Sequence, residues 1–207
     1  MKVLAINGSH RKGKNTAQML KIVLEETARA GAQTELLEVA DLLIKPCLSC
    51  NRCLRRNACS IDDDDMGKAA EKMLAADAIV LGSPVYFSNV TGLMKIFIDR
   101  TRWLHMAKNM LHGKIGAAVT FAGLRNGGQE VTLQIMQSYL MSQGLMVVDS
   151  RNPQDGIISS YACGSMFAGM KEGQPVWRSG ILEDEAAVLS CRQMGRNIVE
   201  ALGAKGL

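Results

Sequence analysis

Four cysteines in one short segment, Cys47-x2-Cys50-x2-Cys53-x5-Cys59, are the densest set of chemically active side chains in this 207-residue chain. Three thiols at three-residue steps can wrap one metal centre in a single turn, and the fourth can return after a short excursion, as in compact iron–sulfur sites. Structural zinc, redox-active cysteine pairs and free thiols are the other chemistries open to this spacing. Zinc more often takes two separated C-x2-C knuckles, so the array favours a cluster. It departs from the bacterial ferredoxin run, which has three residues before its last cysteine and a proline after it; here five intervene and Ser60 follows. Cys163 and Cys191 stand apart and read as buried apolar fillers.

A second constellation opens the chain. The apolar run Val3-Leu4-Ala5-Ile6 breaks into Asn7-Gly8-Ser9-His10-Arg11-Lys12-Gly13-Lys14-Asn15-Thr16, and a helical pattern follows. Such a strand-loop-helix unit aims backbone N–H groups and the positive end of a helix at one spot, which is how proteins hold phosphate. The dinucleotide fingerprint G-x-G-x-x-G needs three glycines, and only Gly8 and Gly13 are present. The ATP-binding pattern G-x-x-x-x-G-K-[ST] fits until Asn15 takes the place of the magnesium-binding hydroxyl. The loop therefore predicts a phosphate site that works without magnesium. None of the three histidines has catalytic company: His10 lies in the phosphate loop, and His105 and His112 read as surface or packing residues.

The elements that must position these groups follow from hydrophobic period. Apolar residues at Met19, Leu20, Ile22, Val23 and Leu24 make a helical stripe over 16–30 that stops at Gly31. Strands are expected at 34–39, 78–82, 115–120 and 145–148, with helices at 66–76, from Thr91, at 130–142 and at 183–202. The acidic run Asp62–Asp65 is expected to cap the helix beginning at Met66. Strands alternating with helices imply a parallel sheet with helices on both faces. Two further loops, Ser83 to Asn89 and Gly123 to Gly128, leave strands on the same edge as the phosphate loop. The stretch 150–182 has little periodicity and carries Tyr161, Phe167 and Trp177.

Nearly half the residues are apolar, aromatics are scarce and glycine is frequent, which suits an α/β domain large enough to bury a core. The net charge of +4 is local, from Arg11, Lys12 and Lys14 in one loop and Lys45, Arg52, Arg55 and Arg56 in another, so nucleic acid is not implied. No apolar run reaches membrane-spanning length, and Met1 leads straight into a strand, so a cytoplasmic location without membrane contact is expected. In that reducing compartment six cysteines argue against a disulfide framework.

Taken together, Ser9-x-Arg11-x3-Asn15-Thr16, the loop Ser83-Pro84-Val85-Tyr86-Phe87-Ser88-Asn89, the loop 123–128 and the cysteine array resemble the NAD(P)H-dependent FMN reductase and iron–sulfur flavoprotein families. The resemblance implies a flavodoxin-like, doubly wound, five-stranded parallel sheet of order 2-1-3-4-5 with FMN across the switch point. It covers residues 1–150, implied as the FMN-binding domain including the Cys-rich loop at 45–62; the aperiodic stretch beyond makes 151–207 an extension, a lid, a subunit-interface arm or a loop packed on its own domain, plus a final helix. FMN phosphate would be held by Ser9, Arg11, Lys14, Asn15 and Thr16, and the ring lined by Pro84, Val85, Tyr86, Phe87, Ser88, Asn89, Gly123, Gly127 and Gly128. Cys47, Cys50, Cys53 and Cys59 would carry a [4Fe–4S] cluster.

The implied activity is an FMN-dependent oxidoreductase passing electrons between a redox carrier, such as ferredoxin or NAD(P)H, a cluster and FMN. No residue is expected to act as a separate catalyst, because flavin N5 carries the chemistry. A homodimer or homotetramer is expected. Two other readings stand beside it: a cluster-free NAD(P)H-dependent FMN or quinone reductase, and a magnesium-free phosphate-binding module.

Overall fold

Three nearly uninterrupted apolar segments form the centre of the sheet: β1 (Lys2–Asn7), β3 (Ala78–Pro84) and β4 (Ile115–Ala122), the last two buried along their whole length. Runs of this kind belong to parallel strands covered on both faces. The structure, a computed structural model, describes all residues except Ala107, Pro153, Asp155, Ile158 and Leu207. With β2 (Gln33–Glu38) and β5 (Met146–Val147) the strands pair in parallel in the order β2-β1-β3-β4-β5. This is the expected doubly wound, flavodoxin-like order. A sixth strand, β6 (Ala162–Ser165), comes from the C-terminal segment and pairs in parallel with the far half of β4, Val119 opposite Ala162. It stands where the two-residue β5, paired only to Ile115 and Gly116, leaves off.

The period-two alternation of the strands divides the interior in two. Val3, Ala5, Ala78, Val80, Ala117 and Val119 pack with α1 (Asn15–Arg29) and α6 (Glu185–Gly203). Leu4, Ile6, Ile79, Leu81 and Ala118 face the other way, onto α2 (Met66–Ala75), α3 (Gly92–Arg100) and α5 (Gln129–Ser142). Each fully buried Leu, Ile, Met or Phe here contributes about 1.5–3 kcal/mol. An exposed pair such as Lys95–Asp99 is worth less than about 1 kcal/mol. The two apolar layers therefore hold the sheet, and the charged loops ride on it. Among the described residues no helix is long and apolar enough to cross a membrane.

The C-terminal segment is built into this frame. Besides β6 and α6 it forms an antiparallel hairpin, β7 (Phe167–Lys171) with β8 (Gln174–Trp177), closed by an edge-to-face contact of Phe167 and Trp177 at 6.0 Å. Asp184 caps α6, accepts from Ser165 N–H at 3.1 Å and pairs with Arg178. A short helix, α4 (Arg102–Met106), follows α3 directly.

Candidate functional site

Because β1, β3 and β4 are parallel, the loops that follow them leave one edge of the sheet, and side chains lock them together. Gly8 N–H donates to Gly82 O at 2.8 Å, and Thr91, the N-cap of α3, donates from Oγ1 to Gly8 O at 2.6 Å while accepting from Met94 N–H. Glycine is required at this crossing: a Cβ on Gly8 would lie 2.6 Å from Met94 Cβ, and one on Gly82 2.7 Å from Leu20 Cδ1. His10 of the first loop stacks on Tyr86 of the second, ring centroids 6.1 Å apart. Ser88 of the second abuts Gly128 of the third, where a Cβ would meet Ser88 Oγ at 2.4 Å.

Within the first loop Asn7 Oδ1 accepts from Ser9 N–H and Ser9 Oγ from Arg11 N–H, so the chain curls around its own side chains. Gly13 takes a left-handed φ of +67°, and its N–H points at Glu38 at 3.4 Å. α1 then starts with no side-chain cap on Lys14 and no acidic residue in its first turn. Gln18 N–H makes the first helical bond, to Lys14 O; among the described residues nothing accepts from Asn15, Thr16 or Ala17 N–H. A helix start with three open donors and positive partial charge is a receptor for an anion. Arg11 and Lys14 are exposed beside it, whereas Lys12 is taken up by Asp41. Ser9 and Thr16 are buried. The Asn15 carboxamide is engaged elsewhere, accepting from Ile181 N–H at 3.1 Å and donating towards Met166 Sδ, so what Asn15 offers the loop is its backbone N–H.

The second loop is a two-residue turn. Tyr86 and Asn89 exchange backbone hydrogen bonds, and Phe87 and Ser88 between them have φ of +51° and +56°. Such a turn normally asks for Asn-Gly; a phenylalanine held left-handed costs about 1–2 kcal/mol, strain of the kind that gathers at ligand sites. Phe87 is fully exposed and Tyr86 half so. Pro84 is buried as the end of β3, and Val85 N–H is bound to Phe121 O. In the third loop the buried Gln129 folds back, Oε1 accepting from Gly127 N–H and Nε2 donating to Leu124 O and Arg125 O. Gly123 has open space around it and Leu124 is exposed. The edge thus offers exposed apolar rings and small loop residues next to an anion receptor, which fits a planar ring system with a phosphate tail. Neither Gln129 nor the Phe87–Ser88 turn was legible in the spacing, since neither carries a glycine or charge signal.

The cysteine segment begins at the same edge, after β2 and a turn of 3-10 helix, Val39–Asp41. All four sulfur-bearing residues, Cys47, Cys50, Cys53 and Cys59, line one cavity of about 20 Å³, closed on its other side by Arg100, Arg102 and Trp103. Ser49 N–H points at Cys47 Sγ at 3.5 Å, and Cys50 Sγ shares a hydrogen bond with Ser60 Oγ at 3.0 Å that pulls the Cys50 thiol below its usual value. Ser49 and Asn51 are left-handed, winding the chain around the cavity. The donor set suits a cluster: four thiols on one cavity in a loop with few backbone hydrogen bonds of its own, leaving N–H groups for sulfur. The spacing is not closed, because among the described residues no three His, Cys, Asp or Glu side chains approach as metal ligands.

What shuts the neck of this loop is a buried ion pair that sequence reasoning missed. Asp64 and Arg100, their side chains 1 % and 0 % exposed, meet at 2.5 Å; Arg100 also donates to Lys45 O at 2.6 Å and Ile61 O at 3.3 Å. Burial pushes the Asp64 carboxyl up, but the bonds from Arg100, Lys45 N–H and Met66 N–H outweigh it and hold the group below the usual carboxylate range. Burial likewise opposes the Arg100 charge, and Asp64 restores it. The acidic run therefore does more than cap α2, correcting that expectation: Asp65 makes no side-chain cap and accepts instead from Leu43 N–H, and Asp63 pairs with Lys45. Only Asp64 reaches the helix start, through Met66 N–H at 3.0 Å. Carboxylates facing a loop neck find closer donors there than at the helix start. Away from this region, burial pushes the Cys163 thiol up to about 11 and that of Cys191 higher still; Cys191 is the buried filler expected, whereas Cys163 is only partly buried.

Comparison with known proteins agrees with this geometry. Residues 1–153 match the family model of NADPH-dependent FMN reductase. An iron-sulfur flavoprotein of Archaeoglobus fulgidus is 38 % identical over 99 % of this chain and 96 % of that protein. One of Methanosarcina thermophila is 36 % identical over 76 % of this chain and 82 % of that protein. Among solved structures, a flavodoxin, WrbA-like protein from Agrobacterium tumefaciens superimposes with a TM-score of 0.59 at 17 % identity, over 99 % of this chain and 97 % of that one, which speaks for the fold. With the three strand-end loops and the four-cysteine loop in place, the chain belongs to the NADPH-dependent FMN reductase family, among the iron–sulfur flavoproteins.

Proposed function

We propose that this protein is an FMN-dependent oxidoreductase of the iron–sulfur flavoprotein type, exchanging electrons between a soluble redox carrier, a [4Fe–4S] cluster and FMN. The observation that supports it best is the uncapped start of α1 at the edge where three loops meet. In this reading the N–H groups of Asn15, Thr16 and Ala17, the side chains of Ser9 and Thr16 and the charges of Arg11 and Lys14 hold the phosphate. Tyr86, Phe87, Ser88 and Asn89 lie along one side of the ring, with Pro84 and Val85 fixing that loop, and Gly123, Gly127 and Gly128 along another edge. Bound flavin supplies hydride acceptance at N5 and one-electron exchange. The chain's own work is to grip, orient and shield it, and no side chain is assigned a proton of its own.

Cys47, Cys50, Cys53 and Cys59, which line one common cavity, are the side chains that would hold the cluster, and it would supply one-electron exchange there. The electron donor is a carrier such as ferredoxin or NAD(P)H, and the protein acts in the cytoplasm as a homodimer or homotetramer. The exposed Met170, Val176 and Trp177 of the β7–β8 hairpin support an arm that meets another subunit. A second reading, a cluster-free NAD(P)H-dependent FMN or quinone reductase, is favoured by one observation, the thiols' failure to converge.

Anaerobic purification decides between them. Flavin bands with a broad absorbance in the visible blue, together with iron and acid-labile sulfide, are expected of the first. Flavin bleached by NAD(P)H without iron marks the second. A colourless chain that takes up no FMN overturns both.

A further inference from the structure

Arg100 stands first by volume among the fully buried side chains of the described residues. Nη1 and Nη2 are satisfied by Asp64, Lys45 O and Ile61 O. Nε, equally buried, has no hydrogen-bond partner. A buried donor left unmade costs its full desolvation, and more on a charged group, so a native chain supplies an acceptor. The same side chain forms part of the wall of the cavity lined by Cys47, Cys50, Cys53 and Cys59, and Cys59 shares a second cavity wall with it. The oxygen-bearing side chains on that wall are engaged, Asn51 by Arg102, Ser60 by Cys50 and Asp99 by Lys95, which leaves sulfur as the open acceptor.

We propose that Arg100 Nε–H donates a hydrogen bond to a sulfur of the four-cysteine centre, on the side of Cys59, and so sets that centre's reduction potential. The inference rests on the cluster reading above. The physical cause is twofold: an N–H donated to sulfur and a buried positive charge both stabilise the form that carries the extra electron. Asp64 offsets part of the charge, yet it leaves the direction of Nε fixed, because the bidentate contact orients the guanidinium plane. Arg100 thus joins two tasks on one side chain: one end closes the loop's neck and the other tunes what the loop encloses. It is a positioning and tuning residue, and it touches neither substrate nor flavin in this assignment.

The test begins with Arg100→Lys, which keeps a cation beside Asp64 and removes Nε–H. In anaerobic protein titrated with dithionite and followed by electron paramagnetic resonance, the cluster midpoint should move to a more negative potential. Iron and sulfide per chain and the flavin midpoint should stay as in the wild type. Arg56→Lys, an exposed arginine of the same loop, should leave the cluster midpoint in place. An unchanged midpoint in a fully loaded Arg100→Lys protein overturns the proposal. Wild-type protein grown on arginine labelled with ¹⁵N at Nε alone, which leaves the Arg52 backbone N–H beside Cys50 silent, gives an answer that does not depend on how the variant folds: pulsed resonance on the reduced centre should show a ¹⁵N coupling, and its absence overturns the assignment. Loaded wild type without that coupling refutes Arg100 alone, whereas wild type without iron or sulfide refutes the cluster reading beneath it.

Discussion

The strand-end loops and the cysteine loop start from the same edge of one parallel sheet, joined there by the Lys12–Asp41 ion pair, yet they are held in opposite ways. The strand-end edge is tied internally: Asn7 to Ser9, Ser9 to Arg11, Thr91 to Gly8, Thr120 to Ser83, Gln129 to its own loop. The cysteine loop has one turn of 3-10 helix, Arg52–Leu54, a few contacts to sulfur, and a lock at its neck. One is shaped as a receptor ahead of any ligand; the other, in the function proposed above, is a purse that its contents would complete. Pre-organisation lowers the ordering cost of binding, while an open thiol loop converts metal affinity into folding free energy.

The contrast breaks first at the neck. Arg100→Ala strands a buried carboxylate and should destabilise the protein by about 3–5 kcal/mol in urea unfolding, with loss of iron uptake. If FMN binding in the folded fraction falls as steeply as iron content, the two regions are not separate.

Gly82→Ala strikes the other side. Its Cβ meets Leu20 at 2.7 Å, and the overpacking should cost about 1–3 kcal/mol and weaken FMN binding while the iron content of the folded protein holds. Thr91→Val removes the bond to Gly8 O and the cap of α3 and should cost about 1 kcal/mol, read as a lower urea midpoint and a weaker FMN Kd in a fluorescence titration. The last effect is one of pH and belongs to Asp64, which is charged at neutral pH in folded and unfolded chains alike. Its folded pKa lies below the unfolded value, so its contribution is fully present above the unfolded carboxylate pKa and is lost as pH falls through the folded one. Thermal unfolding of wild type against Asp64→Asn should therefore differ at pH 7 and converge in acid; a constant gap would show that the carboxylate's charge is not what locks the neck.

Sequence showed the strands and the three edge loops, because runs such as Ala78–Leu81 ending in Gly-Ser-Pro announce a buried strand and its turn in consecutive residues, while the order of the sheet came with the family resemblance. The partnership of Asp64 and Arg100 was hidden: 36 residues separate them, and each sits in a charged stretch that reads as solvated. β6 was hidden for a similar reason. Ala162-Cys163-Gly164-Ser165 has no β-branched residue, and only its place beside β4 makes it a strand. The Asn15 hook onto Ile181 could not be inferred from a motif in which asparagine already had a proposed role.

That hook has a further consequence. Asn15 stands where α1 begins and grips the approach to α6, while β6 is stitched onto β4 in the sheet, so the last third of the chain is welded to the rest at two points. A protease cutting after residue 150 would not free a self-sufficient N-terminal module: the fragment would lose the outermost ribbon beside β4 and the helix that shields α1. The tail belongs to the chassis, and a shortened version meant to retain only the nucleotide cradle would leave an apolar wall open to water.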